Sequence, residues 1–242
     1  MASDLVLAHL YPDLLHTYAD RGNLLTLARR AEWRGFSVEV AGVTLGERLP
    51  PHPGVIVIGG GTDRIQEVVA KDLLARRAEL EAAIADGAVL LGVCGGYQFL
   101  GAHYALAEGR VIQGLALLDV HTVAEAGRIV GRVVAQATLW GREFELVGFE
   151  NHAGRTYLHE HARSLATVHR GGGNNGHDRT EGAVRGKVVG TYLHGPVLPS
   201  NPAFADALLE QALLPRTGGA PLAPLDDRLE LAAHRGARGT RR

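Results

Sequence analysis

The run Leu91-Gly92-Val93-Cys94-Gly95-Gly96-Tyr97-Gln98 concentrates the chemistry of this chain. An apolar stretch ends, one nucleophilic side chain follows, glycines flank it, and a helical pattern begins. That is the pattern of a nucleophile elbow with cysteine in place of serine. The glycines permit a tight turn and close backbone approach. A helix start behind the thiol favours thiolate, and the N–H of Gly95 is placed to donate to an oxyanion on an attacked carbonyl. Cys94 is the one cysteine in 242 residues, which excludes an internal disulfide and a zinc site built from thiolates. By counting alone a lone cysteine reads as a small buried hydrophobe; three glycines packed around it turn the reading towards a nucleophile.

A thiolate nucleophile needs a base and proton carrier. Of the 12 histidines, His194 stands apart, because it ends the strand-like run Val188-Val189-Gly190-Thr191-Tyr192-Leu193 and is followed by Gly195-Pro196. A histidine there shares a sheet edge with an elbow cysteine if the two strands are parallel neighbours, the usual way for cysteine and histidine distant in sequence to meet. The turn Gly59-Gly60-Gly61-Thr62 has three readings. As a phosphate loop it lacks the Gly-Lys-Ser/Thr ending, as an oxyanion turn it offers N–H groups from the side opposite Gly95, and as plain structure it is a tight strand-to-helix turn. His159 and His161 have no ligand company in the sequence and read as surface residues.

The elements around these residues alternate between short apolar runs and helical patterns, the signature of an α/β domain with a mostly parallel central sheet flanked by helices. Strands are expected over Leu5 to Leu10, Ser37 to Ala41, Gly54 to Ile58 and Ala88 to Val93. Helices are expected over Asn23 to Trp33, over about 63–86 as one long helix capped by Thr62 or Asp63 and stopped at Gly87, and from Tyr97 onward. The second half reads as short strands near 116–123, 129–138, 143–149, 165–168 and 182–193. A final helix runs from Asn201 to Leu214, capped by Ser200 or Asn201 with Pro202 early. With no repeat and no clear linker, residues 1–214 form one domain. The stretch 215–242 is a Pro-, Gly- and Arg-rich tail with at most a short helix near 225–234, expected to be mobile and solvated rather than bound to a partner or to anionic headgroups.

Together, the cysteine and histidine segments resemble a class I (triad) glutamine amidotransferase, in the branch shared with cobyric acid synthase: GVCGGYQ and the distant TYLHGP are that branch's nucleophile and histidine signatures. The similarity is closer still to the GatD family, the glutaminase subunits of lipid II isoglutaminyl synthase. It is carried by LYPDLLHTYADRGNLLTLARRAEWRG, GGGTDR, GFENHAGRTYL and GGGNNGHDRTEGAVRGKVVGTYLHGPVLPSNP, and extends to about residue 214. The resemblance implies that Cys94 attacks the carboxamide of L-glutamine, that Gly95 with Gly61 or Gly60 holds the oxyanion, and that His194 moves the protons. It also implies that Arg128 binds the glutamine; a solvated surface arginine is the plainer reading. Many triad enzymes carry a glutamate two residues after the histidine, where this chain has Pro196. Glu150 is an internal candidate for the third member, although a structural strand residue is the stronger reading for it, and a partner subunit is the other source.

The implied partner is a MurT-like Mur ligase subunit in a heterodimer, using ATP and Mg to amidate the D-glutamate α-carboxyl of lipid II. No cofactor or metal is implied in this chain, which has no ATP-binding loop of its own. The composition agrees. With 25 basic and 26 acidic side chains, net -1, nucleic-acid coating is excluded. With 46% hydrophobic residues a full core is available, yet no apolar run reaches the length of a transmembrane segment and the N-terminus lacks signal-peptide logic. A cytoplasmic chain is expected. Three rivals stand beside this reading: a glutaminase for another amidation of the cobyric acid type, a stand-alone cysteine hydrolase of γ-glutamyl peptides, and a non-catalytic scaffold that keeps the fold.

Overall fold

The computed structural model describes residues 3–15 and 20–239, and of Asp63 the backbone alone. Residues 16–19 of the LYPD segment, the ends at 1–2 and 240–242, and the expected cap by the Asp63 side chain lie outside the described residues.

A central six-stranded sheet has the order β11-β12-β4-β3-β1-β2, from β1 (Leu5–Leu10), β2 (Val38–Val43), β3 (Val55–Ile58), β4 (Val89–Val93), β11 (Ala183–Arg185) and β12 (Val188–Thr191). Every pairing in it is parallel except β11 with β12. The four residues of β3 and the five of β4 are buried throughout, as continuous apolar strands covered on both faces must be. The flanking helices are α1 (Arg21–Glu32), α2 (Asp63–Ala75), α3 (Arg77–Ala85), the short α4 (Gly95–Leu100) and α5 (Pro202–Thr217). Asn201 does precede α5, with Pro202 in its first turn, but its side chain does not cap the helix. Instead it bonds both backbone groups of Val147 and the carbonyl of Val197, pinning the helix start to the neighbouring sheet.

Three sequence expectations are corrected here. The single helix over 63–86 is two helices, broken at Arg76 (φ -91°, ψ 7°). The buried Arg76 guanidinium donates to Asp72 and to the carbonyl of Glu47 (2.9 Å), and Asp72 also accepts from Tyr11 Oη (2.7 Å); this tertiary network overrides a periodicity that runs unbroken through the site. The segments near 116–123 and 129–138 are one strand, β7 (Val120–Leu139), interrupted by a bulge between Ala124 and Ile129. It pairs with β8 (Arg142–Leu158) through the two-residue turn Trp140-Gly141, both at positive φ as a tight hairpin requires. The run 182–193 likewise divides into β11 and β12 at a turn at Gly186 and Lys187.

The long hairpin is the heart of a second sheet, β10-β9-β7-β5-β6 with β8 on β7, completed by β5 (His103–Ala105), β6 (Val111–Gln113), β9 (Ala166–Arg170) and β10 (Thr180–Glu181). The two sheets are stitched where Phe149 of β8 exchanges backbone hydrogen bonds with His194 (2.7 and 3.3 Å). Beyond Leu214, α5 continues to Thr217, and a last helix, α6 (Arg228–Arg238), follows. Asp227 at its start accepts from the buried Arg30, which also grips Asp206 of α5 in a bidentate pair (2.7 and 2.8 Å). Among the described residues, no helix is long and apolar enough to cross a membrane.

Candidate active site

Strand β4 delivers Cys94 and β12 delivers His194. The two strands are adjacent and parallel, with Thr191 opposite Val93 and the Cys94 N–H donating to the Thr191 carbonyl at 2.8 Å. The thiol and the imidazole therefore leave the same carboxyl edge of the sheet, where open α/β sheets place their ligands. Cys94 has φ 54° and ψ -106°, a backbone conformation costly for any residue with a Cβ and one that aims its side chain out of the strand-to-helix turn. The turn closes only around glycines: a Cβ on Gly96 would lie 2.1 Å from the Ile58 carbonyl oxygen. One on Gly95 would lie 2.6 Å from Gln66 Nε2 and 3.2 Å from the Gly61 N. The Gly61 amide thus faces the elbow.

Within the glycine turn the Gly60 N–H is given to the Asp20 carboxylate at 2.9 Å, whereas the Gly61 N lies on the elbow side.

The second sheet supplies the opposite wall. Arg128 sits in the β7 bulge, exposed, yet it is not a loose surface arginine: Nε donates to Asn151 Oδ1 (2.6 Å) and Nη2 to the Asn151 carbonyl (2.7 Å). A cleft of about 360 Å³ runs between Gly61, Gln66, Cys94 and Gln98 on one side and Arg128, Asn151 and His152 on the other. Glu150 is engaged by glycine amides. Its carboxylate accepts from the N–H groups of Gly172 (2.7 Å) and Gly173 (2.8 Å) and otherwise comes only within 4.0 Å of His152 Nε2, which is the structural role.

Several site residues escaped the sequence reading. His152 stacks flat on Tyr192 (3.7 Å between centroids, 8° between planes), and its Nδ1–H donates to the Gly154 carbonyl at 2.7 Å. Its buried Nε2 finds no hydrogen-bond partner among the described residues. A relay runs from Gln66 Nε2 to Gln98 Oε1 (3.0 Å) and from Gln98 Nε2 to Tyr192 Oη (3.2 Å), beneath the elbow. Gln98 belongs to the GVCGGYQ run and His152 to GFENHAGRTYL, but nothing in their spacing marks them as neighbours. His159 and His161 are exposed as expected, though His159 is not isolated: its Nε2 meets His121 Nδ1 at 2.8 Å. Burial pushes the His194 imidazolium down to a pKa of about 3, helped by the nearby His152 and Arg128, so at neutral pH the ring is uncharged and able to accept a proton.

Residues 6–202 match the model of the CobB/CobQ-like glutamine amidotransferase domain. The chain belongs to that family. Within it, the chain is similar to subunit GatD of the glutamine-hydrolyzing lipid II isoglutaminyl synthase of Staphylococcus aureus (strain N315), with 39% identity over 233 residues, 95% of this chain and 93% of the relative. The GatD subunit of Streptococcus pneumoniae (strain ATCC BAA-255 / R6) is 36% identical over 215 residues, 88% and 82% of the two chains. Among solved structures, PurLQS from Thermotoga maritima superposes with a TM-score of 0.58 at 17% identity, over 89% of this chain and 100% of that one, a likeness of fold.

Proposed function

We propose that this chain is the glutaminase subunit of a lipid II isoglutaminyl synthase. It hydrolyses L-glutamine and supplies ammonia to a MurT-like, ATP-dependent ligase subunit, which amidates the D-glutamate α-carboxyl of lipid II in the cytoplasm. The observation that carries this reading is the parallel pairing of β4 with β12, which brings an elbow cysteine and a buried histidine to one sheet edge in a chain 39% identical to a GatD subunit along almost its whole length.

In this reading Cys94 Sγ, its proton taken by His194, adds to the carboxamide carbon of glutamine. The oxyanion is held by the N–H groups of Gly95 and Gly61. His194 returns the proton to the amide nitrogen, the C–N bond breaks, and ammonia leaves a γ-glutamyl thioester on Cys94. Water, deprotonated by the same histidine, then adds to the thioester and releases glutamate and the thiol. Arg128, aimed by Asn151, pairs with the α-carboxylate of glutamine.

The pKa of His194 gives the partner a chemical task. The reaction makes an imidazolium in a site whose neighbouring charges, His152 and Arg128, both disfavour it. Pro196 stands where other triad enzymes have an acid, and Glu150 is committed elsewhere. A carboxylate contributed by the ligase subunit would stabilise the imidazolium, making hydrolysis slow in the isolated chain and faster in the complex. The test is ammonia release from glutamine by wild-type and Cys94→Ala chains, alone and with the candidate ligase subunit. Cys94-dependent release that rises on complex formation supports the reading; equal rates alone and in complex overturn the subunit role.

A further inference from the structure

Asp20 begins α1 as its N-cap residue, yet its side chain makes no cap to that helix. A carboxylate at this position ordinarily accepts from the free amides of its own first turn. Here Asp20, 1% exposed, turns away and takes the N–H of Gly60 at 2.9 Å. The turn lies close against the carboxylate, since a Cβ on Gly59 would lie 2.6 Å from Asp20 Oδ2. The same segment also braces the loop that follows His194. Asn23 Oδ1 accepts the Leu198 N–H at 2.9 Å while its Nδ2 reaches Asp20 Oδ1 at 3.5 Å, and Gly22 is so close to Pro196 that a Cβ would lie 2.4 Å from Pro196 Cγ.

Three consecutive glycines have the widest backbone freedom of any tripeptide, whereas an oxyanion donor helps only when it is already oriented before the charge develops. Some group must hold the turn. We propose that Asp20 is a positioning residue for glutamine hydrolysis: by holding the Gly60 amide it sets the peptide geometry that presents the Gly61 N–H to the oxyanion. Asp20 touches neither substrate nor Cys94 in this role. The inference rests on the reading of Cys94 as nucleophile given above, and it deepens that reading by naming what organises the oxyanion turn.

The experiment compares wild type, Asp20→Ala and Asp20→Asn as full-length chains with the ligase subunit present, measuring glutamine hydrolysis and, separately, alkylation of Cys94 by iodoacetamide. Alkylation is a direct displacement at carbon that forms no oxyanion, so it reports the elbow without the turn. In Asp20→Ala, kcat should fall about ten- to hundredfold, below the loss typical of deleting an oxyanion donor outright, while KM for glutamine and the alkylation rate stay within about twofold of wild type. Asp20→Asn keeps an oxygen that accepts from Gly60 and should recover most of kcat. Unchanged kcat in Asp20→Ala, or an alkylation rate falling in step with hydrolysis, overturns the proposal, the latter by showing damage to the elbow itself. Hydrolysis that survives Cys94→Ala overturns both this proposal and the reading beneath it, and so separates the two failures.

Discussion

The two walls of the cleft are built by different means. On the parallel-sheet side, Cys94 and His194 follow strands that are parallel neighbours, so the main chain brings both to one edge of the sheet. On the hairpin side, Arg128 sits in a bulge and owes its aim to two hydrogen bonds that it donates to Asn151 on the opposite strand. The first wall is stiff because buried β3 and β4 lie under it; the second depends on side chains facing solvent. In the proposed mechanism the reactive groups, which need fixed geometry, stand on the first, and the group that would pair with the substrate carboxylate stands on the second.

The largest effect expected from breaking this contrast is chemical. Cys94→Ala should lower glutamine hydrolysis by about 10⁵-fold or more with little change in urea unfolding, and a folded variant retaining a tenth of the activity would refute the nucleophile. Next comes the main-chain frame. A Cβ on Gly190 would meet Tyr97 Cδ2 at 2.0 Å between β12 and α4, so Gly190→Ala should cost about 3 kcal/mol in denaturant unfolding and reduce activity with it. The hairpin wall should behave otherwise. Arg128→Ala is expected to raise KM for glutamine about ten- to hundredfold through loss of one charged hydrogen-bonding group while kcat and stability change little, and a kcat effect larger than the KM effect would erase the proposed division between the walls.

Two pH experiments probe smaller effects. Glu181 accepts from Thr191 Oγ1 and from the Tyr192 N–H (3.0 Å), just before His194, and its burial raises its pKa from 4.5 to about 7. Because the folded state holds the proton more tightly, this group's contribution to stability is full below pH 4.5 and is lost as pH rises through about 7. Glu181→Gln keeps an oxygen acceptor and loses the titration, so its unfolding free energy should vary less than wild type's between pH 5 and 8, by about 1–2 kcal/mol. The last is a shift without a loss. Since His194 is pushed down to about 3, the acid limb of kcat/KM for the isolated chain should lie well below the ordinary histidine range, and binding of a ligase subunit that brings a carboxylate should move it upward. An acid limb that stays fixed on binding would argue against a partner acid.

Legibility in the sequence followed the same division. Leu5–Leu10 was readable residue for residue, because a buried parallel strand is a continuous apolar run with turn residues at its ends. The nucleophile, its glycines and His194 were marked by the ends of such runs. The hairpin was read as fragments, since its exposed middle around the bulge loses the two-residue alternation, and with it went the neighbours that aim Arg128. The break at Arg76 is invisible for another reason: two of the partners that hold it, the Glu47 carbonyl and the Tyr11 ring, lie far away in the chain.

Amino-acid order alone determined which groups are available for chemistry: one thiol in an elbow, a histidine at a strand end, and a glycine turn. These are local facts, set by steric needs within a few residues and by burial patterns that repeat at short range. Only the tertiary structure decided which of those groups point at one another. It committed the Gly60 amide to Asp20, engaged the Glu150 carboxylate with Gly172 and Gly173, and set His152 against Tyr192. The physical reason is that each of these is a choice between competing partners for one donor, acceptor or ring face, and such choices are made by proximity in space, which spacing along the chain does not encode.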